Sequence, residues 1–559
     1  MISRRTFIQT SVASGTLLGL GFINPISLRA KVKGAASFDI LIKNGLIYTG
    51  DGRRPISGDL GIKEGKIAAI GNIGDTADQI LDASGLAVSP GFIDIHSHTD
   101  TNLLQCPAGD SKLYQGVTTE MGGMCGSSPF PYADATYAKQ KDTLRFGYPY
   151  WQHIDGFYAA LEKNKMGINY CSSTGQGRLR AMAVGSYAVP ATPEQLTRMK
   201  DFLTKQLEMG CIGLSSGLEY TPGSYASTDE LVALCKVVAK YNGLYSIHMR
   251  NESNGVEEAL QEAINIARLS GVRLEVSHLK AAYPKNWHKV PILLRMIDDA
   301  VASGVDVAFD RYPYTAFSTG LGTFLPVKER QGGSAQTIAR LKDPQKSKEI
   351  ARFVADKLQD LGGPQNVLIV SCRKTENRQF RGKTLQEGAQ IAEMEAVDFL
   401  IYLLISENMS VRYLGFAMSQ ENLQLLYAHR LGIPASDSSV FSPTGPLSTG
   451  IVHPRAYGTF TRFLGTFVRE QKVVDLQTAI YKISALPASR LGLKERGLLI
   501  PGYHADVVVF DPKTIGELTT YTEPHKFGKG IEHVFVNGVW TIKEAKHTGA
   551  LAGSVLRLG

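Results

Sequence analysis

The feature that most constrains this sequence is an alternation, between residues 91 and 437, of short apolar runs with amphipathic segments. Runs with the length of a strand occupy residues 91–96, 117–121, 168–172, 213–216, 244–248, 274–278, 305–310 and 432–437. Helical periodicity lies between several of them, as over residues 229–240, 255–270 and 290–303. Such alternation is typical of a parallel sheet with helical crossovers. Eight units predict an α/β fold, a (β/α)8 TIM-like barrel whose active site lies at the C-terminal ends of its strands.

Both ends of the chain carry a different pattern, in which short strand-like runs are separated by Gly, Asp or Asn. We predict that residues 38–88 and 491–559 form one discontinuous, small β-sandwich beside a barrel domain of residues 89–490. More than 100 residues separate the seventh predicted strand from the eighth. Because plain connections are much shorter, this gap predicts an inserted lid subdomain at about residues 316–425.

The N-terminal segment has the features of a cleaved export signal. Ser3-Arg4-Arg5-Thr6-Phe7 precedes an apolar, small-residue stretch over residues 12–26, and Ala30 suits the last position before cleavage. The paired arginines resemble the twin-arginine signal that a bacterial export machinery recognises. We therefore predict that residues 1–30 are a twin-arginine signal peptide and that the mature protein is periplasmic or secreted. Because no cysteine precedes Cys106, we expect no lipoprotein anchor. Because the apolar stretch is too short and too rich in Gly and Ser for a membrane span, we expect no stable membrane anchor.

Charge and cysteine content argue against two classes of protein. The chain has 60 basic and 52 acidic residues, a net charge of +8, and no Lys/Arg run of the kind that follows a phosphate backbone. We therefore expect no nucleic-acid partner. The six cysteines are scattered without a C-x-x-C pair, so a disulfide framework is not indicated.

Side chains that bind metals occur at the ends of the predicted strands. They are His96, His98, Cys125, His248, His278 and Asp437. His96 and His98 are two residues apart, so both imidazoles share one face of a strand. Imidazole, thiolate and carboxylate are the ligands that zinc prefers. The pattern predicts a zinc site that activates water, with Asp437 as the general acid/base.

Ordered motifs along the chain resemble the amidohydrolase superfamily and, within it, the N-acyl-D-amino-acid deacylase (D-aminoacylase) family. The resemblance covers the chain from about Phe38 to the C-terminus. The motifs are Gly91-Phe92-Ile93-Asp94-Ile95-His96-Ser97-His98, Met124-Cys125-Gly126, His248-Met249-Arg250-Asn251-Glu252, Ser277-His278-Leu279-Lys280, Tyr312-Pro313-Tyr314, His453-Pro454-Arg455 and Pro501-Gly502-Tyr503-His504-Ala505-Asp506.

The resemblance implies a hydrolase that acts on carbon–nitrogen bonds other than peptide bonds. It would cleave the amide bond of N-acyl-D-amino acids and release a carboxylate and a free D-amino acid. Cys125, His248 and His278 would hold one tight zinc, and His96 and His98 would complete a second, weaker position that Asp437 could touch. The substrate carboxylate would be bound by residues that match the family's substrate-binding groups, namely Lys280, Tyr312, Ser318 and Arg455.

Two departures from the family pattern concern substrate orientation. Met124 stands where the family usually has asparagine, and Gln176 stands where relatives often have histidine. The fourth predicted strand offers Ser215 and Ser216 but no lysine to be carboxylated, so Cys125 would bridge two metals. A cyclic-amide hydrolase of the dihydroorotase or hydantoinase type, a dipeptidase or amidase acting on L substrates, and a non-catalytic binding protein stay open as alternatives, as does the oligomeric state.

Overall fold

The computed structural model describes residues 38–74, 76–132, 151–448 and 450–558. The predicted signal peptide, residues 1–30, lies outside the described residues. Among the residues that the structure describes, no helix is both long enough and apolar enough to cross a bilayer.

Eight parallel strands form the barrel that the alternation predicts. In chain order they are β1 (Phe92–Asp94), β2 (Val117–Gly122), β3 (Asn169–Ser172), β4 (Gly213–Gly217), β5 (Leu244–His248), β6 (Arg273–Val276), β7 (Val307–Arg311) and β8 (Gly432–Pro434). Ladders join β1 to β2 to β3, and β4 through β8 in order. The short strand Thr174–Gly175, directly after β3, pairs with β4. An isolated bridge between Ser97 and Ser438 closes the ring between β1 and β8.

Several barrel strands end earlier than the sequence predicts. β1, β6 and β8 end at Asp94, Val276 and Pro434, so His278 and Asp437 lie in the turns beyond them. Both residues have positive φ, 37° and 48°, which extended strand backbone does not allow. These two site residues therefore lie on loops at the rim of the barrel.

Helices follow most of the barrel strands, and further helices belong to the chain between β7 and β8. The α-helices span Asn102–Gln105, Asp110–Leu113, Ile154–Asn164, Gln176–Ala183, Pro193–Glu208, Thr228–Lys240, Val256–Ser270, Val290–Ala302, Gly333–Lys342, Pro344–Asp360, Leu385–Ile391, Ala396–Ser406, Gln420–Ala428, Arg455–Arg462, Leu476–Ile483 and Ala485–Leu491, and Phe463–Glu470 is π-helical. Val256–Ser270 shows the local cause, because its apolar positions recur at helical spacing on one buried face and Gly271 ends it in the left-handed conformation.

Strands from both ends of the chain form one nine-stranded sheet. They span Phe38–Ile47, Ile56–Lys63, Lys66–Gly71, Ala77–Asp82, Ala87–Pro90, Val507–Phe510, Ile531–Val536, Val539–Lys543 and Lys546–His547. Ala87–Pro90 joins the two ends, because it pairs with Phe38–Ile47 on one side and with Val507–Phe510 on the other. One apolar cluster contains Ile42 and Leu60 from the first end and Val507 and Phe535 from the second.

The chain between β7 and β8 builds a separate layer with its own core. Three antiparallel strands, Ala316–Gly320, Arg412–Phe416 and Val367–Ser371, form its sheet in that spatial order. Helices such as Pro344–Asp360 and Ala396–Ser406 pack on a second apolar cluster that includes Val354, Ile369 and Leu403. Residues of this layer line the same cavity as the strand ends of the barrel. It therefore covers the mouth where the predicted metal ligands lie.

Candidate metal centre and substrate cavity

A cavity of about 870 Å³ lies at the C-terminal ends of the barrel strands. Its floor includes Cys125, His248, His278 and Asp437, and the inserted layer contributes its upper wall. Cavities of this size are typical of small-molecule sites. The barrel places the site where its topology predicts it.

Cys125 reaches the centre of the site from a tight turn after β2. Its φ is 51°, and Gly123 and Gly126 beside it have φ of 70° and 76°. A Cβ on Gly123 would lie 2.0 Å from the carbonyl oxygen of Ser173, so only glycine fits this turn. The turn places the Cys125 Sγ 3.4 Å from His96 Nε2 and 3.5 Å from His278 Nε2.

Two groups of potential ligand atoms meet at His278. The atoms of His96, Cys125, His278 and Asp437 lie within 4.8 Å of one another, as do those of His248, Glu252 and His278. His248 Nδ1 lies 3.1 Å from His278 Nε2. The structure therefore brings together thiolate, imidazole and carboxylate donors from turns that are distant in the sequence.

In each of the three imidazoles of His96, His248 and His278, one ring nitrogen lies next to a carboxylate. Asp310 Oδ2 lies 3.0 Å from His96 Nδ1, Glu252 Oε1 lies 2.9 Å from His278 Nδ1, and Glu219 Oε2 lies 3.3 Å from His248 Nε2. A carboxylate accepts a hydrogen bond from the ring N–H, which leaves the lone pair on the opposite nitrogen. In all three histidines that opposite nitrogen faces the sulfur of Cys125 or a neighbouring imidazole, as in histidines that bind metals.

Asp437 connects this cluster to a buried arginine. Its Oδ1 lies 3.1 Å from His98 Nε2 and 3.4 Å from His96 Nε2. Its Oδ2 accepts a hydrogen bond of 2.7 Å from Arg455 Nη1. Burial opposes ionisation of Asp437, but the Arg455 guanidinium and the imidazoles of His278 and His96 outweigh burial and hold the pKa of this carboxyl well below its usual range.

The charges of the cluster favour a thiolate at Cys125. Burial alone would raise its pKa, but the neighbouring imidazoles of His96 and His278 outweigh burial and hold the pKa of the Cys125 thiol well below its usual range. The same charges act on the imidazoles. Burial would lower the pKa of His248, yet Glu252, the Cys125 thiolate and Glu219 raise it to about 10. Protons therefore balance the negative charge here, and a divalent cation would displace them.

The four residues predicted to bind a substrate carboxylate all line the cavity. Lys280 Nζ lies 2.6 Å from Glu252 Oε2 and 2.8 Å from His278 Nδ1. The Arg455 guanidinium lies over the Tyr312 ring, 4.5 Å from its centroid. Ser318, half-buried in the inserted layer, accepts a 3.5 Å hydrogen bond from Arg412 Nη2.

Sequence reasoning did not assign a role to three charged residues of the site. Asp310 is fully buried, and besides contacting His96 it accepts a 2.8 Å hydrogen bond from the backbone N–H of His278. Lys112, also fully buried, binds Asp94 Oδ2 at 2.7 Å beneath the metal cluster. Arg412 lies in the cavity wall. Asp310 offered a signal, because it ended a predicted strand as the histidines did.

Comparisons with known proteins agree with this geometry. The chain matches the amidohydrolase family over residues 79–345 and 445–542. It is 34% identical to the N-acyl-D-glutamate deacylase of Alcaligenes xylosoxydans xylosoxydans over 91% of this chain and 94% of that protein, and 32% identical to the D-aminoacylase of the same organism over 93% and 97%. The solved structure of the N-acyl-D-glutamate deacylase from Bordetella bronchiseptica, complexed with zinc and a phosphonate inhibitor, superposes with a TM-score of 0.79 at 32% identity, covering 93% of this chain and all of that one. The resemblance inferred from the motifs is confirmed, as is the predicted fold of barrel, terminal β domain and inserted layer, and the chain belongs to the amidohydrolase family.

Proposed function

We propose that this protein is a zinc-dependent hydrolase of N-acyl-D-amino acids. One observation carries the proposal: the Cys125 sulfur and the imidazoles of His96, His248 and His278 converge beneath a cavity, next to the carboxylate of Asp437. The N-acyl-D-glutamate deacylase and the D-aminoacylase that resemble this chain along most of their length support the choice of bond and configuration.

The donor set fits zinc. Cys125, His248 and His278 would hold a tight ion, and His96, His98 and Asp437 would form a second, weaker position that shares Cys125. Zinc, when bound, supplies Lewis acidity and lowers the pKa of a water molecule. The carboxylates of Asp310, Glu252 and Glu219 fix the imidazoles in the tautomer that a cation requires.

Asp437 performs the proton transfer. Because its pKa is held low, Asp437 is ionised at neutral pH and can accept a proton from water. The water oxygen bonds to the acyl carbon, the C–N bond breaks, and the proton passes from Asp437 to the departing amine nitrogen. The hydrogen bond from Arg455 fixes one carboxylate oxygen and leaves the other facing His96 and His98.

Arg455 also has a donor available for the substrate. Its Nη1 is used by Asp437, but its Nε is buried and has no hydrogen-bond partner among the residues described. An arginine pairs with carboxylates through charge-assisted hydrogen bonds that fix both position and orientation. Arg455 and the neighbouring Tyr312 would therefore bind the α-carboxylate close to the proton-transfer group.

The fourth strand argues against a cyclic-amide hydrolase that depends on a carboxylated lysine. Gly213–Gly217 reads Gly-Leu-Ser-Ser-Gly, and both of its serines are buried. Ser215 and Ser216 bind Gly123 and Tyr245 instead of a metal. The Cys125 Sγ, which lies between His96 and His278, could instead bridge two metal ions.

A substrate panel tests the proposal. The metal-free and zinc-reconstituted proteins are each given N-acetyl-D and N-acetyl-L amino acids, and the release of free amino acid is measured. Hydrolysis that needs zinc and favours the D series is expected; equal rates for both series, or rates that do not depend on metal, would refute it. Cys125→Ala should abolish zinc-dependent turnover, and Cys235→Ala, at a buried cysteine on the helix Thr228–Lys240, is its matched control.

We also propose that a twin-arginine signal over residues 1–30 exports the folded protein. The support is the Ser3-Arg4-Arg5-Thr6-Phe7 motif and the apolar stretch that follows it. Export of a folded enzyme suits a zinc site that forms only with the fold. Arg4→Lys together with Arg5→Lys should retain the protein in the cytoplasmic fraction, whereas unchanged release would exclude this route.

A further inference from the structure

Arg412 differs in its surroundings from three other cations that line the cavity. Lys280 lies 2.6 Å from a Glu252 oxygen, Arg455 lies 2.7 Å from an Asp437 oxygen and Lys357 lies 3.9 Å from a Glu219 oxygen. Within the described part of the chain, no carboxylate forms an ion pair with Arg412. Among the residues that the structure describes, the hydrogen bond of the Arg412 side chain is the 3.5 Å one to Ser318 Oγ.

The strand geometry aims Arg412 at the cavity. Arg412 pairs with Gly320 across the antiparallel ladder, and Ser318 lies two residues before Gly320 on the strand Ala316–Gly320. The side chains of Arg412 and Ser318 therefore lie on the same face of this sheet. Gly320 has no side chain, and a Cβ there would meet nothing closer than 4.0 Å. The guanidinium therefore has room beside Ser318, and both residues line the cavity.

The local field around Arg412 favours an anion. The side chain of Arg412 is solvent-exposed where it lines the cavity, and the positive charge of the neighbouring Arg455 repels its guanidinium. Two guanidiniums thus face the same space, and only that of Arg455 is neutralised by a protein carboxylate. A substrate anion in this space would offset their repulsion.

We propose that Arg412, with the Ser318 hydroxyl, binds a second carboxylate of the substrate, in addition to the α-carboxylate held near Arg455. The preferred substrates are then N-acyl amino acids that carry another carboxylate, on the amino-acid side chain or on the acyl group. This inference rests on the proposed hydrolysis of N-acyl-D-amino acids and specifies its substrate class.

Isosteric substrates test the inference at fixed zinc. N-acetyl-D-glutamate and N-acetyl-D-glutamine differ by one charge at nearly equal size, and N-succinyl-D-glutamine moves the second carboxylate to the acyl group. The protein should favour one of the two dicarboxylic substrates over N-acetyl-D-glutamine by about 10-fold to 100-fold in kcat/KM. Whichever dicarboxylic substrate is favoured identifies the position of the second carboxylate.

Variants assign the preference to Arg412. Arg412→Gln should raise KM for the favoured substrate by about 10-fold or more, and it should lower kcat/KM for that substrate by about 10-fold more than it lowers kcat/KM for N-acetyl-D-glutamine. Arg412→Lys should retain part of the preference, and Arg352→Gln, which removes an exposed charge from the same layer, should retain all of it.

Two results overturn the inference. One is a wild-type protein that hydrolyses N-acetyl-D-glutamine as fast as both dicarboxylic substrates, a comparison that does not depend on any variant folding. The other is an Arg412→Gln variant that loses activity equally on all three substrates, because Arg412 would then bind the α-carboxylate. If zinc-loaded protein cleaves no N-acyl-D-amino acid at all, the proposed function itself fails, which is a distinguishable outcome.

Discussion

Replacing Asp310 by Asn tests how the metal site is held together. Both oxygens of Asp310 accept: one from the backbone N–H of His278 at 2.8 Å, the other from His96 Nδ1 at 3.0 Å. Asparagine has one acceptor oxygen and one NH₂ donor, so it can satisfy only one of these two donors. If it keeps the backbone bond, its NH₂ faces His96 Nδ1 and moves the ring proton to Nε2. The lone pair that faces the Cys125 Sγ is then lost.

The magnitude follows from this loss of one oriented ligand. Removal of a partner that orients a metal-binding histidine typically lowers metal affinity by about 10-fold to 100-fold, or about 1.4–2.8 kcal/mol. The assay is a competition titration with a chromophoric zinc chelator at pH 7, and circular dichroism checks the fold. Asp306→Asn is the control, because Asp306 precedes the same strand at its opposite end and pairs with Arg490.

Zinc affinity within about twofold of the wild type in Asp310→Asn would refute the tautomer argument. An equal loss in Asp306→Asn would refute it as well, because that carboxylate contacts no residue of the metal cluster. A loss confined to Asp310→Asn supports the role of the carboxylates behind the imidazoles.

Three further predictions concern catalysis, stability and pH. Asp437→Ala should lower kcat by about 10²-fold to 10⁴-fold while zinc content in elemental analysis stays at one ion or more per chain, since a general acid/base contributes that much; unchanged turnover would exclude the proton-transfer role. Lys112→Met should lower the free energy of unfolding by about 3–5 kcal/mol in denaturant titrations, because it leaves the buried carboxylates of Asp94 and Glu120 without their cation. Burial lowers the pKa of His533 to about 4, so this ring stays neutral in the folded protein at pH values where the unfolded chain binds a proton. The free energy of unfolding should therefore fall as pH drops from about 6.5 to about 4. In His533→Gln, the unfolding midpoint should depend less on pH over this range.

The residues that the sequence predicted best are those whose position follows from local geometry. His96 and His98 are two residues apart after one strand, and both imidazoles contact Asp437 Oδ1. His248 and His278 follow apolar runs, and parallel strands bring their C-terminal ends to one rim. Period-2 spacing and strand order were enough to gather these side chains, without knowledge of any distance.

The partners of these residues could not be predicted in the same way. Asp310 contacts His96 across 214 positions of sequence, and no local pattern records such a distance. Lys280 and Arg455 were expected to face the substrate, yet each also binds a carboxylate of the protein. Arg412 belongs to a short strand of the inserted layer, whose pairing with Ala316–Gly320 depends on how about 90 intervening residues fold.

The closure of the barrel has a consequence for catalysis. Between β1 and β8 the described residues form no continuous ladder. The strands are joined by the Ser97–Ser438 bridge, by the hydrogen bond from the Asp437 N–H to the His96 carbonyl and by the one from the His98 N–H to the Ser438 carbonyl. Lys112 reinforces this join by binding Asp94, Ser436 and Ser438. This join of the barrel therefore carries Asp437, the side chain proposed to transfer the proton. Local unfolding of this join would move Asp437 away from His96 and His98 before the rest of the barrel unfolds. On heating, enzymatic activity should therefore be lost at a lower temperature than the folded structure.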